Sequence, residues 1–182
     1  MTEPRRFARF GSPPAPGVAA LPDDGMCLSV FLVVRAPDRP HDVLLGRIDP
    51  NGPWEQAAAI DGSRARRIGE RWVLPASQLL LFEPVEAAAR RISSEMLGRS
   101  DLVLGPPQLF SEAYRREGAA VDPHWDLQFV YVADWPGGAP ERYRGRLWKE
   151  LAFVDVRTVP SAGFGRGHGD VLALVGLPPR PT

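Results

Sequence analysis

From Leu74 to Gly98 the chain reads LPASQLLLFEPVEAAARRISSEMLG, and its charged residues are spaced for chemistry. Glu83 closes an apolar loop, and Glu86, Arg90, Arg91 and Glu95 follow at steps that a helix turns into neighbours. Two carboxylates four residues apart on a helix lie on one face, where they can share a magnesium ion with waters and a phosphate. Here the four-residue steps pair opposite charges instead, Glu86 with Arg90 and Arg91 with Glu95. The expectation for Arg91 and Glu95 is therefore a surface ion pair contributing about 0.3–0.5 kcal/mol. Glu95 remains the one carboxylate of this helix with a residual metal role.

A second group of candidates lies further on. Asp122-Pro123-His124-Trp125-Asp126 sets two carboxylates beside an imidazole that titrates near neutral pH, with Glu112 and Glu117 upstream. It reads first as a polar hairpin tip turning at Pro123, and second as a ligand set, since loop-borne ligands are held less firmly than a pair on one helical turn. Cys27 lies in an apolar run and reads as a small core residue. Ser77 has no neighbouring histidine and no strand-to-helix elbow, so it is rejected as a nucleophile. The glycines of GFGRGHGD (163–170) lack the spacing of a dinucleotide fingerprint and read as a loop before a helix capped by Gly169 or Asp170. Trp125, Trp135 and Trp148 are expected at strand ends, where they suit stacking on a planar ligand or a subunit interface.

The elements that must position these residues follow from periodicity. Residues 26–34 form a near-continuous apolar run suited to a strand buried on both faces, and 43–48 a second strand. Residues 49–70 are polar and punctuated, with room for one irregular helical turn. A short strand at 71–77 is expected to stop at Pro75. A helix over 84–97 follows, with Pro84 at its first position and Val85, Ala88, Ala89, Ile92 and Met96 forming its apolar face. Strands are expected within 101–115, 124–135 and 147–159, with a Gly/Pro hairpin over 136–146 before the last of them. A short helix within 167–177 ends the order, which predicts a mixed α/β sheet with helices on its faces.

Bulk properties bound the function classes. The 182 residues, 44% hydrophobic and 24% charged, suit one soluble domain. Zero formal net charge argues against a nucleic-acid or anionic-membrane partner. A single cysteine excludes an internal disulfide and a cysteine-based zinc cluster. No apolar run approaches the roughly 18 residues that span a bilayer, and the Arg/Pro-rich start lacks the apolar core of a secretory signal. A cytoplasmic location and a GC-rich, bacterial genome are expected. The domain reading is an arm over 1–24, a domain over 25–177 and a tail over 178–182.

Over roughly 25–177 the order of elements resembles the Nudix hydrolase superfamily, whose box reads G-x5-E-x7-R-E-U-x-E-E-x-G-U, with U apolar. EAAARRISSEMLG is similar to its helix: Arg90 matches the box arginine, Ile92 the apolar position and Glu95 the second residue of the glutamate pair. WVLPAS resembles the W-x-L-P-G-G that leads into the box, LWKELAFVDVRTV a late strand of the family, and HGDVLALVG its last helix. The departures are Arg91 for the glutamate after the box arginine, Ser94 for the first of the pair, Ala76-Ser77 for the glycine pair and Gly98 one place late. Phe82 falls at the upstream acidic position, and Glu83 serves there only if one residue is missing before the helix.

The resemblance implies a Nudix-like α/β/α sandwich with a mixed, strongly twisted sheet and helices on both faces. It also implies a degenerate box that hydrolyses weakly or not at all and binds a small nucleotide-like or other planar ligand through Arg90, Arg91, His124, Trp125 and Asp126. One alternative is a hydrolase of nucleoside-diphosphate-linked compounds using magnesium or manganese, with Glu95 joined by Glu83 or by Asp122 and Asp126. Another is an interaction protein acting as a homodimer.

Overall fold

Strand β1 (Met26–Ala36) is apolar without alternation because both of its faces are covered. Val30, Leu32 and Val34 enter one core layer, and Phe31 and Val33 the other. The computed structural model describes residues 26–54, 62–80, 82–114, 124–143, 145–165 and 167–181; the expected arm and Asp122 lie outside them. β5 (His124–Asp134) runs parallel to β1 over the whole span from Met26–Trp125 to Arg35–Asp134. The other edge of β1 is shared. β3 (Ala76–Gln78) pairs antiparallel with Ser29 to Phe31, and β2 (Arg39–Ile48) with Arg35 and Ala36. β4 (Gln108–Tyr114) and β6 (Trp148–Asp155) complete a mixed sheet of order β4-β5-β1-β2-β6, with β3 branching from β1.

Helix α1 (Gly62–Ile68) supplies the turn expected in the polar segment. Helix α2 (Val85–Leu97) covers the first face with Ala88, Ala89, Ile92, Met96 and Leu97; its alanines permit a close approach to the sheet. It begins one residue later than expected. Pro84 is extended (φ −60°, ψ 144°) and caps the helix, its carbonyl accepting from the Ala88 amide. Gly98, at φ 62°, ends it, with the Gly98 and Arg99 amides returning to Ser94 and Ser93. Helix α3 (His168–Leu174) covers the second face through Val171 and Leu172. Its cap is Gly167, at φ 80°, rather than Gly169 or Asp170.

Three expectations shift for local reasons. Pro75 does not stop a strand. Its carbonyl accepts from the Leu32 amide, and β3 starts directly after it, while Trp72 and Val73 make isolated bridges. The expected hairpin after β5 contains a 3-10 turn, Pro140–Tyr143. β6 ends at Asp155, whose carboxylate accepts from the Arg157 amide and caps a further 3-10 turn, Val156–Thr158. Near the C-terminus, Arg180 exchanges backbone bonds with Val159 and Ser161. Among the described residues, no helix is long and apolar enough to cross a membrane.

Candidate functional site

The loop between β3 and α2 is fastened from inside. Arg91, two turns into α2, reaches back over it: Nε donates to Glu83 Oε1 at 2.7 Å and Nη2 to Glu83 Oε2 at 2.9 Å. Nη2 also donates to the Gln78 carbonyl (3.0 Å) and Nη1 to Ser77 Oγ (3.2 Å). Glu83 Oε2 accepts from the Leu80 amide as well. The two side chains are only 10% and 12% exposed, so this bidentate pair is shielded from solvent. Between the fastenings Phe82 is held at φ 62°, a conformation costly for a side chain with a Cβ, with its ring 94% exposed.

This geometry corrects the expected pairing on the helix. Sequence spacing set Arg91 against Glu95 on the outer surface, whereas the guanidinium turns to the loop and takes Glu83. The reason is reach: a long helical side chain leans back toward the helix N-terminus, and from mid-helix Arg91 extends to the loop before it. The other expected pair is present, with Arg90 Nη2 2.8 Å from Glu86 Oε1, and both side chains are exposed. Arg90 thus faces solvent.

Glu95 is exposed and lies on the rim of a hollow of about 240 Å³. Met96, Gly98, Gly145 and Leu147 line it together with Arg142 and Arg146. The two arginines come from the segment read only as a hairpin. The signal available was the run R-Y-R-G-R, basic residues at every second position beside a glycine.

The second candidate group does not join this site. Val130 and Val132 of β5 pack in the α3 layer, and strand alternation places Asp126 on that same face, opposite α2 and Glu95. Backbone pairing sets Asp126 across from Glu112 and His124 across from Tyr114; Glu117 and Asp122 lie outside the described residues. Trp148 is core, its Nε1 donating to the Met96 carbonyl at 2.7 Å and its ring set edge-on to Trp54. Trp135 is buried too, donating to the Gly138 carbonyl under the Arg99 guanidinium, and its edge reaches a separate hollow of about 440 Å³ beside Phe153. Neither ring is available to a subunit interface. Arg99 also grips Asp101, and that hydrogen bond holds the Asp101 carboxyl below its usual range. Sequence reasoning also missed His168, whose Nδ1 accepts from the Leu74 amide and ties α3 to the loop. The imidazole is thereby the tautomer with its proton on Nε2.

Divalent-metal chemistry asks for oxygen donors, and the residues near Glu95 do not fit it. Glu83 is bound to Arg91, the hollow beside Glu95 is lined by two cations, and Ile92 and Met96 are apolar. Among the described residues no three of His, Cys, Asp and Glu gather to hold a metal.

No family model matches the chain, and no curated protein does. Solved structures do. A MutT NUDIX hydrolase from Burkholderia pseudomallei superposes with a TM-score of 0.53 at 18% identity, over 82% of this chain and 98% of that one. A mutT/nudix family protein from Listeria innocua gives 0.53 at 15% identity, over 82% and 91%. The NUDIX domain of Shewanella oneidensis NrtR, complexed with ADP ribose, gives 0.50 at 16% identity, over 84% and 87%. The chain has the Nudix fold, a mixed twisted sheet between helices.

Proposed function

We propose that this Nudix-fold domain binds an anionic, nucleotide-like ligand and does not hydrolyse it. The carrying observation is the Glu83–Arg91 pair, because its spacing of eight is that of the acid and the arginine in G-x5-E-x7-R. Setting Glu83 and Arg91 on those positions restores the loop length and the place of the closing glycine, and puts Ser93 and Arg99 at the two apolar positions. Ser77 then stands at the box glycine, Glu95 at the first of the glutamate pair, and Gly98 at the closing glycine, where it adopts the left-handed cap. Arg91, not Arg90, is the box arginine in this register, and no residue is missing from the loop. The two positions one helical turn apart that would carry metal-binding carboxylates become Ile92 and Met96. They are 0% and 2% exposed and belong to the core. One exposed carboxylate, Glu95, is left, which is too few for an octahedral cation held by protein oxygens.

The ligand class is supported by the arginine-lined hollow and by the ADP-ribose carried on the structurally similar Shewanella oneidensis domain. The test is a panel of nucleoside-diphosphate-linked compounds, with magnesium and with manganese, followed by product detection and by calorimetry. Binding without turnover above background is expected. Metal-dependent turnover abolished by Glu95→Gln would overturn the proposal.

A further inference from the structure

We infer that Arg142 and Arg146 form a metal-independent phosphate site, taking a phosphate or diphosphate ester in the hollow beside Glu95. The inference rests on the ligand-binding reading above and names the chemistry of that site. Three observations carry it. First, several arginines of this chain are neutralised by a carboxylate: Arg90 by Glu86, Arg99 by Asp101, Arg157 by Asp155. Arg142 and Arg146, both exposed, have no carboxylate partner among the described residues, although they lie within one hollow. Two like charges brought together repel each other, and a bound anion between them relieves what the single Glu95 carboxylate on the rim leaves uncompensated.

Second, the walls suit a compact anion. Gly98 and Gly145, at φ 62° and 57°, present backbone without side chains, and the buried Met96 and Leu147 form the floor. The volume of about 240 Å³ accommodates a phosphate group and part of what it esterifies. Planar guanidinium groups match phosphate oxygens with paired hydrogen bonds. Third, the hollow lies against the face of α2 that carries Glu95. Two guanidinium groups carry there the same charge, +2, as a magnesium ion, without requiring carboxylates to hold it. Glu95 on the rim places one negative charge beside the two guanidinium groups and limits how much anionic charge the hollow takes.

The experiment is calorimetric titration of the full chain with inorganic pyrophosphate and, separately, with ADP-ribose, both in EDTA. Binding of both is expected, weakened by added salt. Arg142→Ala and Arg146→Ala should each weaken it roughly tenfold, with unfolding temperatures unchanged because both side chains are exposed. Glu95→Gln should tighten both ligands, because it removes a negative charge from the rim of the hollow. Absence of binding in EDTA at millimolar ligand, or binding indifferent to both arginine substitutions, overturns this site. Either result leaves the non-hydrolysing reading standing if turnover is also absent. Binding that requires magnesium and is lost in Glu95→Gln overturns both.

Discussion

Replacing Arg91 by methionine separates two accounts of the same residue by magnitude. As a surface partner of Glu95 it would contribute about 0.3–0.5 kcal/mol. The structure instead gives its guanidinium two bonds to Glu83, one to the Gln78 carbonyl and one to Ser77 Oγ, in surroundings where the pair is about one-tenth exposed. Arg91→Met would leave the Glu83 carboxylate enclosed with the Leu80 amide but without its cation. Removing one partner of so enclosed a pair costs about 3–5 kcal/mol. For a chain of this length that is a fall in unfolding temperature of roughly 6–20 °C. Urea denaturation followed by tryptophan fluorescence reads the loss, and a double-mutant cycle with Glu83→Gln should return a coupling of about 2 kcal/mol. A loss below about 1 kcal/mol would refute the clamp. So would a cycle in which Arg91 couples more strongly to Glu95 than to Glu83.

Three further perturbations test the surrounding frame. Gly46→Ala would place a Cβ 2.2 Å from Cε3 of Trp148, whose ring is fixed by its bond to Met96, so a loss of about 1–3 kcal/mol is expected in urea denaturation; unchanged stability would show that the ring yields. Phe82→Gly relieves a side chain held at φ 62° with almost no burial to lose, and should raise stability by roughly 0.5–1 kcal/mol, with Phe82→Ala giving no such gain. The Arg157 guanidinium, with the Arg157 amide, lowers the Asp155 carboxyl to about 2 from its usual 3.8. A group depressed in this way stabilises the fold above its unfolded value and loses that contribution as pH falls through its folded one. The stability difference between wild type and Asp155→Asn should therefore be constant above about pH 5 and close toward about pH 2 and below, and a gap that widens on acidification would contradict the assignment.

What the sequence made legible was periodicity. Strand β1 could be read because burial on both faces leaves an unbroken apolar run, and α2 because its apolar residues recur at three and four before a glycine. The identity of the box arginine was not legible in that way. Arg90 and Arg91 are adjacent and alike, and only the partner that each side chain finds distinguishes them. Arg90 meets Glu86 one turn back in solvent; Arg91 meets Glu83 across a loop. Periodicity sees the face of a helix but not the reach of a long side chain past its end. The same limit concealed Trp148, whose hydrogen bond to Met96 spans 52 residues, and His168, which joins a loop 94 residues away. Arg142 and Arg146 were concealed differently, because a glycine-punctuated segment gives no hint of the helix end it lies against.

The proposed register also separates two tasks that one motif performs together. Holding the loop needs an acid and an arginine eight residues apart, and Glu83 and Arg91 meet that need between themselves. Holding a metal needs carboxylates one turn apart that remain in contact with water, because an isolated buried charge is prohibitively costly. At Ile92 and Met96 the second need is replaced by burial, and each apolar side chain contributes roughly 1.5–3 kcal/mol to the core instead. A chain that had lost the whole motif by drift would have no reason to keep the enclosed ion pair, since the unpaired remnant is more damaging than an apolar replacement. The clamp is therefore intelligible as scaffold. It fixes the loop ahead of α2, and α2 in turn presents Glu95 to the hollow that Arg142 and Arg146 line.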